Sequence, residues 1–403
     1  MYKSYGGDNK VRLIINNCNL INGISDEVKE NCYIIIEGDS ISKIGLGYVE
    51  PGSTDTVIDG KGKYVIPGLI DAHVHLVWDG SPDPMPVIEH LENDEVTLRA
   101  YKHSLDYLKL GITTVRDVGS PDRTAIHVRN AINSKLLKGP TIISSGTSIS
   151  ITGGHVYSLG READGVDGVR TAARKILKEG ADLIKVMATG GIYTEGEEPG
   201  NTQLTYEEIA VAVKEAHNKN KKVAAHADGL EGIMNCIKAG VNTIEHGIYA
   251  DTNALKLMKE KGMYLVPTMA VMRRLSTYEK IPAFAREKAL EITDTHMEML
   301  KNAVKLGVNI ATGTDCGSAG TPPAYYFEEL LIMEEAGMKP IDVIKSSTNI
   351  AASCLGIEDR GTLTEGMKAD LLLLNENPCT DLHVLKDDKL IVKDGKIVSE
   401  LLF

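Results

Sequence analysis

The stretch PGLIDAHVHL, residues 67–76, opens on a Pro-Gly turn and continues as a short, mostly apolar run. Such a run, bounded by turn residues, reads as a buried strand. Residues i and i+2 of a strand point to one face, so His73 and His75 can chelate one ion together. Alone, a His-x-His pair is weak evidence, because most such pairs are ordinary core or surface residues. Asp71 precedes them on the same face and can hydrogen-bond a ligating histidine.

Further along, short β-branched runs alternate with helical patterns. Strands are expected at 69–76, 113–118, 141–145, 182–188, 222–227, 243–245, 264–267 and 309–314. Helices are expected at 166–179, 205–219 and 291–306 between them. Thr205 with Glu208 forms a capping-box signature, and Gly180, Gly240 and Gly307 stand where helices should stop. Eight such alternations predict a parallel sheet, most simply a closed (β/α)8 TIM barrel spanning 68–360. An open doubly wound sheet is the alternative, but no GxGxxG or Walker A fingerprint favours it.

Both ends read as β structure. Strands are expected at 11–20, 33–37, 41–44, 56–58 and 64–66, and again at 369–374, 390–392 and 396–398. Gly38-Asp39 and Asp394-Gly395 supply turns. Matching ends predict one small β-sandwich domain built from 1–67 plus 361–403.

Composition narrows the function. A net charge of −12 argues against a general nucleic-acid binder. The cysteines (Cys18, Cys32, Cys236, Cys316, Cys354, Cys379) show no CxxC spacing, so neither a thiolate zinc cluster nor a disulfide framework is expected. No leader pattern and no apolar run long enough to span a membrane are visible. The expectation is a soluble, cytoplasmic protein with a small-molecule substrate and no nucleic-acid or membrane partner; a homo-oligomer is compatible.

Metal-capable side chains fall at the expected strand ends, where a barrel carries its site. Lys185 lies inside the fourth strand; burial would lower its pKa and free the amine to take up CO₂, giving an anionic ligand able to bridge two metals. The bland alternative is a lysine paired with an acid or facing outward. His226 ends the fifth strand, His246 the sixth and Asp315 the eighth. Singly, each is as easily a satisfied core residue. Imidazoles and carboxylates without thiolates suit Zn first, with Mn, Fe or Co as alternatives.

PGLIDAHVHL, IKVMATGG, VAAHAD, TIEHG and ATGTD, in this order, resemble the amidohydrolase superfamily. Within it they are most similar to prolidase-like or imidazolonepropionase-like enzymes that hydrolyse dipeptides. The resemblance covers almost the whole chain. It implies that His73 and His75 bind one divalent metal, that His226 and His246 bind the other, and that carboxylated Lys185 bridges them. It also implies that Asp315 binds a metal and carries protons, as general base and then acid, while a water activated between the metals attacks an amide carbonyl.

Substrate contacts are softer. His155, after Gly153-Gly154, resembles a segment that reaches the active site in relatives, where it would stabilise the developing oxyanion; the alternative is a loop histidine without a role. Arg116 can pair with a substrate carboxylate or form a structural ion pair with Asp117 or another acid. Trp78 can wall the pocket or simply pack. Several prolidase-like relatives carry a carboxylate-binding tyrosine where this chain has Asp228, which would instead attract a cationic group. Three rival readings remain. A cyclic amide, aryl amide, urea or carbamate could be the substrate. Deamination is disfavoured by the lysine, and a non-catalytic scaffold by the complete set of ligand residues.

Overall fold

The computed structural model describes residues 12–399, so Val11, expected to start a strand, lies outside the described residues. Eight parallel strands run through the middle of the chain: β1 (Leu69–Val74), β2 (Ile112–Asp117), β3 (Thr141–Ser144) and β4 (Leu183–Met187). They continue with β5 (Lys222–Ala227), β6 (Thr243–His246), β7 (Tyr264–Val266) and β8 (Asn309–Ile310). Every residue of β1, β2, β4 and β6 is buried, as expected of strands covered on both sides by helices.

The strands pair in chain order, β1 to β3 in one sheet and β4 to β8 in another. Two extra short strands, Ser148–Ser150 and Gly160–Glu162, join the second sheet beside β4. Between the sheets, the Asp182 N–H donates to Ser144 O at 2.8 Å. At the other seam, the Ala72 N–H donates to Thr312 O at 2.9 Å and the His75 N–H to Cys316 O at 3.0 Å. Beyond Ile310 the chain therefore still runs beside β1, although it no longer forms a regular strand.

Helices fill the crossovers. The capping box at Thr205 forms as expected: Thr205 Oγ1 accepts the Glu208 N–H, and a Glu208 carboxylate oxygen accepts the Thr205 N–H. Gly240 and Gly307 end their helices with φ of +84° and +71°, a conformation that costs glycine nothing. The helix expected from 291 begins earlier, as Ala283–Leu306, because Ala285, Ala289 and Ile292 continue one buried face.

The terminal strands form one connected eight-stranded sheet rather than the expected two-layer sandwich. Its edge strand Ser40–Leu46 bends back, so that the Ile41 N–H donates to Met367 O and the Ala369 N–H to Asp39 O, both at 2.8 Å. That curvature encloses a separate apolar core around Ile15, Ile34, Val65 and Leu371. The sheet also grips the site-bearing strand: Tyr64–Pro67 pairs with Leu371–Leu374 immediately before β1 begins.

Candidate active site

The C-terminal ends of the parallel strands bring the expected ligands together. His73 Nε2, His75 Nε2 and a carboxylate oxygen of Asp315 offer three donor atoms within 4.8 Å of one another. Ring centroids of His73 and His246 stand 5.0 Å apart, and those of His226 and His246 4.7 Å. Lys185 is buried on β4, where the register sets Met187 beside His226 on β5.

Backbone strain contributes to this convergence. His246 and Asp315 have φ of +68° and +57°, which non-glycine residues rarely adopt. The turn at His246 breaks strand alternation, so that two consecutive residues, Glu245 and His246, both engage groups of the site. Strain of this kind concentrates at functional sites.

Hydrogen bonds fix which nitrogen each histidine offers. The His73 Nδ1–H donates to Glu245 Oε2 at 2.7 Å, and the His75 Nδ1–H to Gly119 O at 3.0 Å. Both partners can only accept, so each Nε2 keeps a lone pair. The His226 Nε2–H donates to Gly190 O at 3.0 Å, leaving Nδ1 free. Burial holds His73 down to about 4 and His226 and His246 well below the usual imidazole range. The Nε2 atoms of His73 and His75, turned toward the Asp315 carboxylate, are a donor set that fits a divalent metal.

The acids divide sharply. Burial would raise Glu245, but Arg116 and His73 hold it below the ordinary range. Asp315 is likewise held low against burial by His75 and His73. Burial brings Lys185 down to about 8, against the pull of Glu245. Asp71 accepts the Thr314 hydroxyl at 2.6 Å and the His73 N–H at 3.1 Å, yet burial lifts it to about 7.

A small cavity opens beside these groups, lined by His155, His226, Asp228, His246, Asp315 and Ser318. Ile192, Val271, Met272, Leu275 and Ala319 form its apolar wall. Asp228 is fully buried, and neither carboxylate oxygen has a hydrogen-bond partner among the described residues. One oxygen lies 3.3 Å from His226 Nε2, but outside bonding alignment. Burial accordingly pushes Asp228 well above the usual carboxyl range.

Two of the candidate substrate contacts lie elsewhere. Arg116 is 2% exposed and donates to both oxygens of Glu245 at 2.8 Å and to Ala72 O. It forms the structural ion pair, with Glu245 rather than Asp117. Trp78 packs behind His75, ring centroids 4.8 Å apart, and Tyr193 rather than Trp78 lines the cavity. Glu245 and Glu197, which orient His73 and His155, were not singled out from sequence. Glu245 was visible as the acid next to His246 in TIEHG, whereas nothing marked Glu197, in a loop rich in Glu and Gly.

Residues 64–398 match the amidohydrolase family. The chain belongs to that family. As an amidohydrolase it is a hydrolytic enzyme that acts on carbon–nitrogen bonds of a small-molecule substrate. Ochratoxinase of Aspergillus niger is 33% identical over 368 residues, covering 83% of this chain and 75% of that protein. A Xaa-Pro dipeptidase solved with methionine in its active site superposes with a TM-score of 0.88 at 34% identity, covering 96% of this amidohydrolase and 99% of the dipeptidase. A prolidase solved with N-methylphosphonate-L-proline superposes at 0.89 with 29% identity, covering 96% and 99% of the two chains. These neighbours imply a TIM-barrel-like α/β fold, accompanied by a separate, largely antiparallel sheet. Among the described residues of this amidohydrolase, no helix is long and apolar enough to cross a membrane.

Proposed function

We propose that this amidohydrolase cleaves the amide bond of a small substrate, a dipeptide or N-acyl amino acid, at a centre for two divalent metals, most simply zinc. The observation that carries the reading is the convergence of His73 and His75, each oriented through its Nδ1, on Asp315. His73, His75 and Asp315 would hold one ion, and His226 and His246 the other, with Lys185 between them as a carbamate. Residues 68–360 would form a closed (β/α)8 barrel carrying this centre, with 1–67 and 361–403 as the accompanying β domain.

Held there, the metals would supply an activated water and a Lewis acid for the carbonyl. The protein's own groups do the rest. Asp315, held ionised by His73 and His75, takes a proton at its carboxylate and returns it to the leaving nitrogen. The apolar wall from Ile192 to Ala319 takes an apolar side chain and excludes water. Asp228, with no partner for its oxygens, receives a cationic or hydrogen-bond-donating group.

The test is a metal count on protein purified with zinc or manganese and bicarbonate, followed by turnover of dipeptides and N-acyl amino acids with cationic, neutral and acidic members. Two metals with dipeptide turnover are expected, and Asp228→Ala should reduce the preference for cationic over neutral substrates. An unchanged preference would remove Asp228 from substrate selection.

One observation favours a second reading. Among the described residues lining the cavity there is no Lys or Arg to receive a substrate carboxylate. A cyclic or aryl amide, urea or carbamate needs none. Two metals without dipeptide turnover would select this alternative.

A further inference from the structure

The histidine that lines the cavity beside His226 is held from behind. His155 is 6% exposed and its ring stacks on His226, centroids 4.3 Å apart and planes 29° apart. Its Nδ1–H donates to Glu197 Oε2 at 3.2 Å, with Thr194 Oγ1 also 3.1 Å away. The other oxygen of Glu197 accepts the Gln203 Nε2–H at 2.5 Å, and Gln203 Oε1 accepts the backbone N–H of His155 at 3.0 Å. The chain of bonds closes on itself, gripping His155 at both backbone and ring. Lys288, reaching from the helix Ala283–Leu306, donates to the carbonyls of Thr194 and Glu197 and pins the loop that carries the grip.

Glycines make the approach close enough. A Cβ on Gly191 would sit 2.2 Å from the His155 ring, and one on Gly154 would sit 2.8 Å from Gln203 Oε1. The loop after β4 and the loop carrying His155 therefore meet only because neither has a side chain there.

A carboxylate accepts but does not donate, so it settles which ring nitrogen carries the proton. We propose that Glu197 is a positioning residue that holds His155 with Nδ1–H toward the loop, leaving Nε2 as a hydrogen-bond acceptor for an N–H of the substrate. This rests on the amide-hydrolase reading above and changes one part of it. An oxyanion needs a donor, whereas the Nδ1–H tautomer that this grip selects presents a lone pair at Nε2.

The test has two arms. In the first, zinc-loaded protein labelled with ¹⁵N-histidine is examined by long-range ¹H–¹⁵N NMR, with His155→Ala to assign the signals. Wild type should show His155 as the Nδ1–H tautomer. Glu197→Ala should shift or mix it, and Glu197→Gln, whose amide oxygen still accepts, should retain it. An Nε2–H tautomer in wild type, or an unchanged His155 pattern in Glu197→Ala, overturns the proposal. This arm needs no turnover, so it decides the point even if the substrate class is wrong.

In the second arm, Ala-Leu hydrolysis is compared across Glu197→Ala, His155→Ala and the double variant. Each single variant should lose about 10–100-fold in kcat/KM, and the double should lose no more than His155→Ala, because residues acting as a unit are not additive. Additive losses would mean that Glu197 does not act through His155. If wild type leaves Ala-Leu intact but the tautomer responds to Glu197, the dipeptide reading fails and the positioning role stands.

Discussion

The carboxylate of Glu245 lies 2.7 Å from His73 Nδ1 and 2.8 Å from the Arg116 guanidinium, so one buried acid both orients a candidate metal ligand and neutralises a core arginine. Partners that orient metal-binding histidines typically contribute 10–100-fold to metal affinity. Glu245→Gln should therefore weaken zinc retention by about that factor, read as metal content after dialysis against a chelator series. Glu245→Ala also strands Arg116 without its acid, and loss of one member of a buried pair costs about 3–5 kcal/mol. A denaturant melt unchanged in Glu245→Ala would contradict this.

Lys185 makes a separate prediction. Its amine, brought by burial down to about 8, is in part uncharged near neutral pH and open to CO₂. Growth or reconstitution with ¹³C-bicarbonate should give a carbamate ¹³C resonance, absent from Lys185→Met. That variant should also bind less metal. A resonance that persists in Lys185→Met would assign the carbamate to another lysine.

Asp315→Asn keeps the size of the side chain and one liganding oxygen but cannot shuttle protons. Positioned proton transfer is worth about 10²–10⁴-fold. The variant should lose kcat on that scale while zinc content stays near wild type. A kcat close to wild type would exclude Asp315 as the proton carrier.

Glu329 links pH to stability away from the chemistry. Its carboxylate accepts the N–H groups of Met269 and Ala270 at 3.0 and 2.6 Å, yet burial still pushes it up to about 8 from an ordinary 4.5. Between these values the folded protein holds more protons here than the unfolded chain. This group's stabilisation is thus complete below about pH 4.5 and is lost as pH rises through about 8. The wild-type stability curve should fall relative to Glu329→Gln over that window, by at most about 1.4 kcal/mol per pH unit. Parallel curves would show that the Glu329 carboxyl titrates near its ordinary value.

Much of this was legible in the sequence because burial on both faces writes parallel strands as short apolar runs. Lys222–Ala227 falls where the pattern puts it, and the other strands of the series shift mainly at their ends. The eighth is shorter than expected: it stops at Ile310, where the ladder with β7 ends, although the chain carries on beside β1. Candidate ligand residues were visible because strand ends are where the pattern breaks from apolar to polar. Arg116 misled because a charged residue inside a strand reads equally as a substrate anchor or a buried ion pair, and only its distance to Glu245 decides. Glu197 was hidden because its partner His155 lies 42 positions away in another loop. The two-layer sandwich reading failed for a related reason: alternation reports which residues face a core, not whether the strands around it belong to one sheet or two.

The sheet that pairs Pro67 with Leu371, just ahead of β1, has a consequence for how the enzyme is made. A ribosome delivers the His-x-His strand early, but Thr314, which anchors Asp71 from 243 positions away, comes late, and the strand that clamps Pro67 later still. Until then the strand of the two histidines has its neighbour β2 on one side and none on the other, where residues 312–316 will lie. The candidate ligands therefore come together late in synthesis, once Asp315 has been added, and a chain cut short upstream of Leu371 would lack the strand that clamps Pro67 ahead of them.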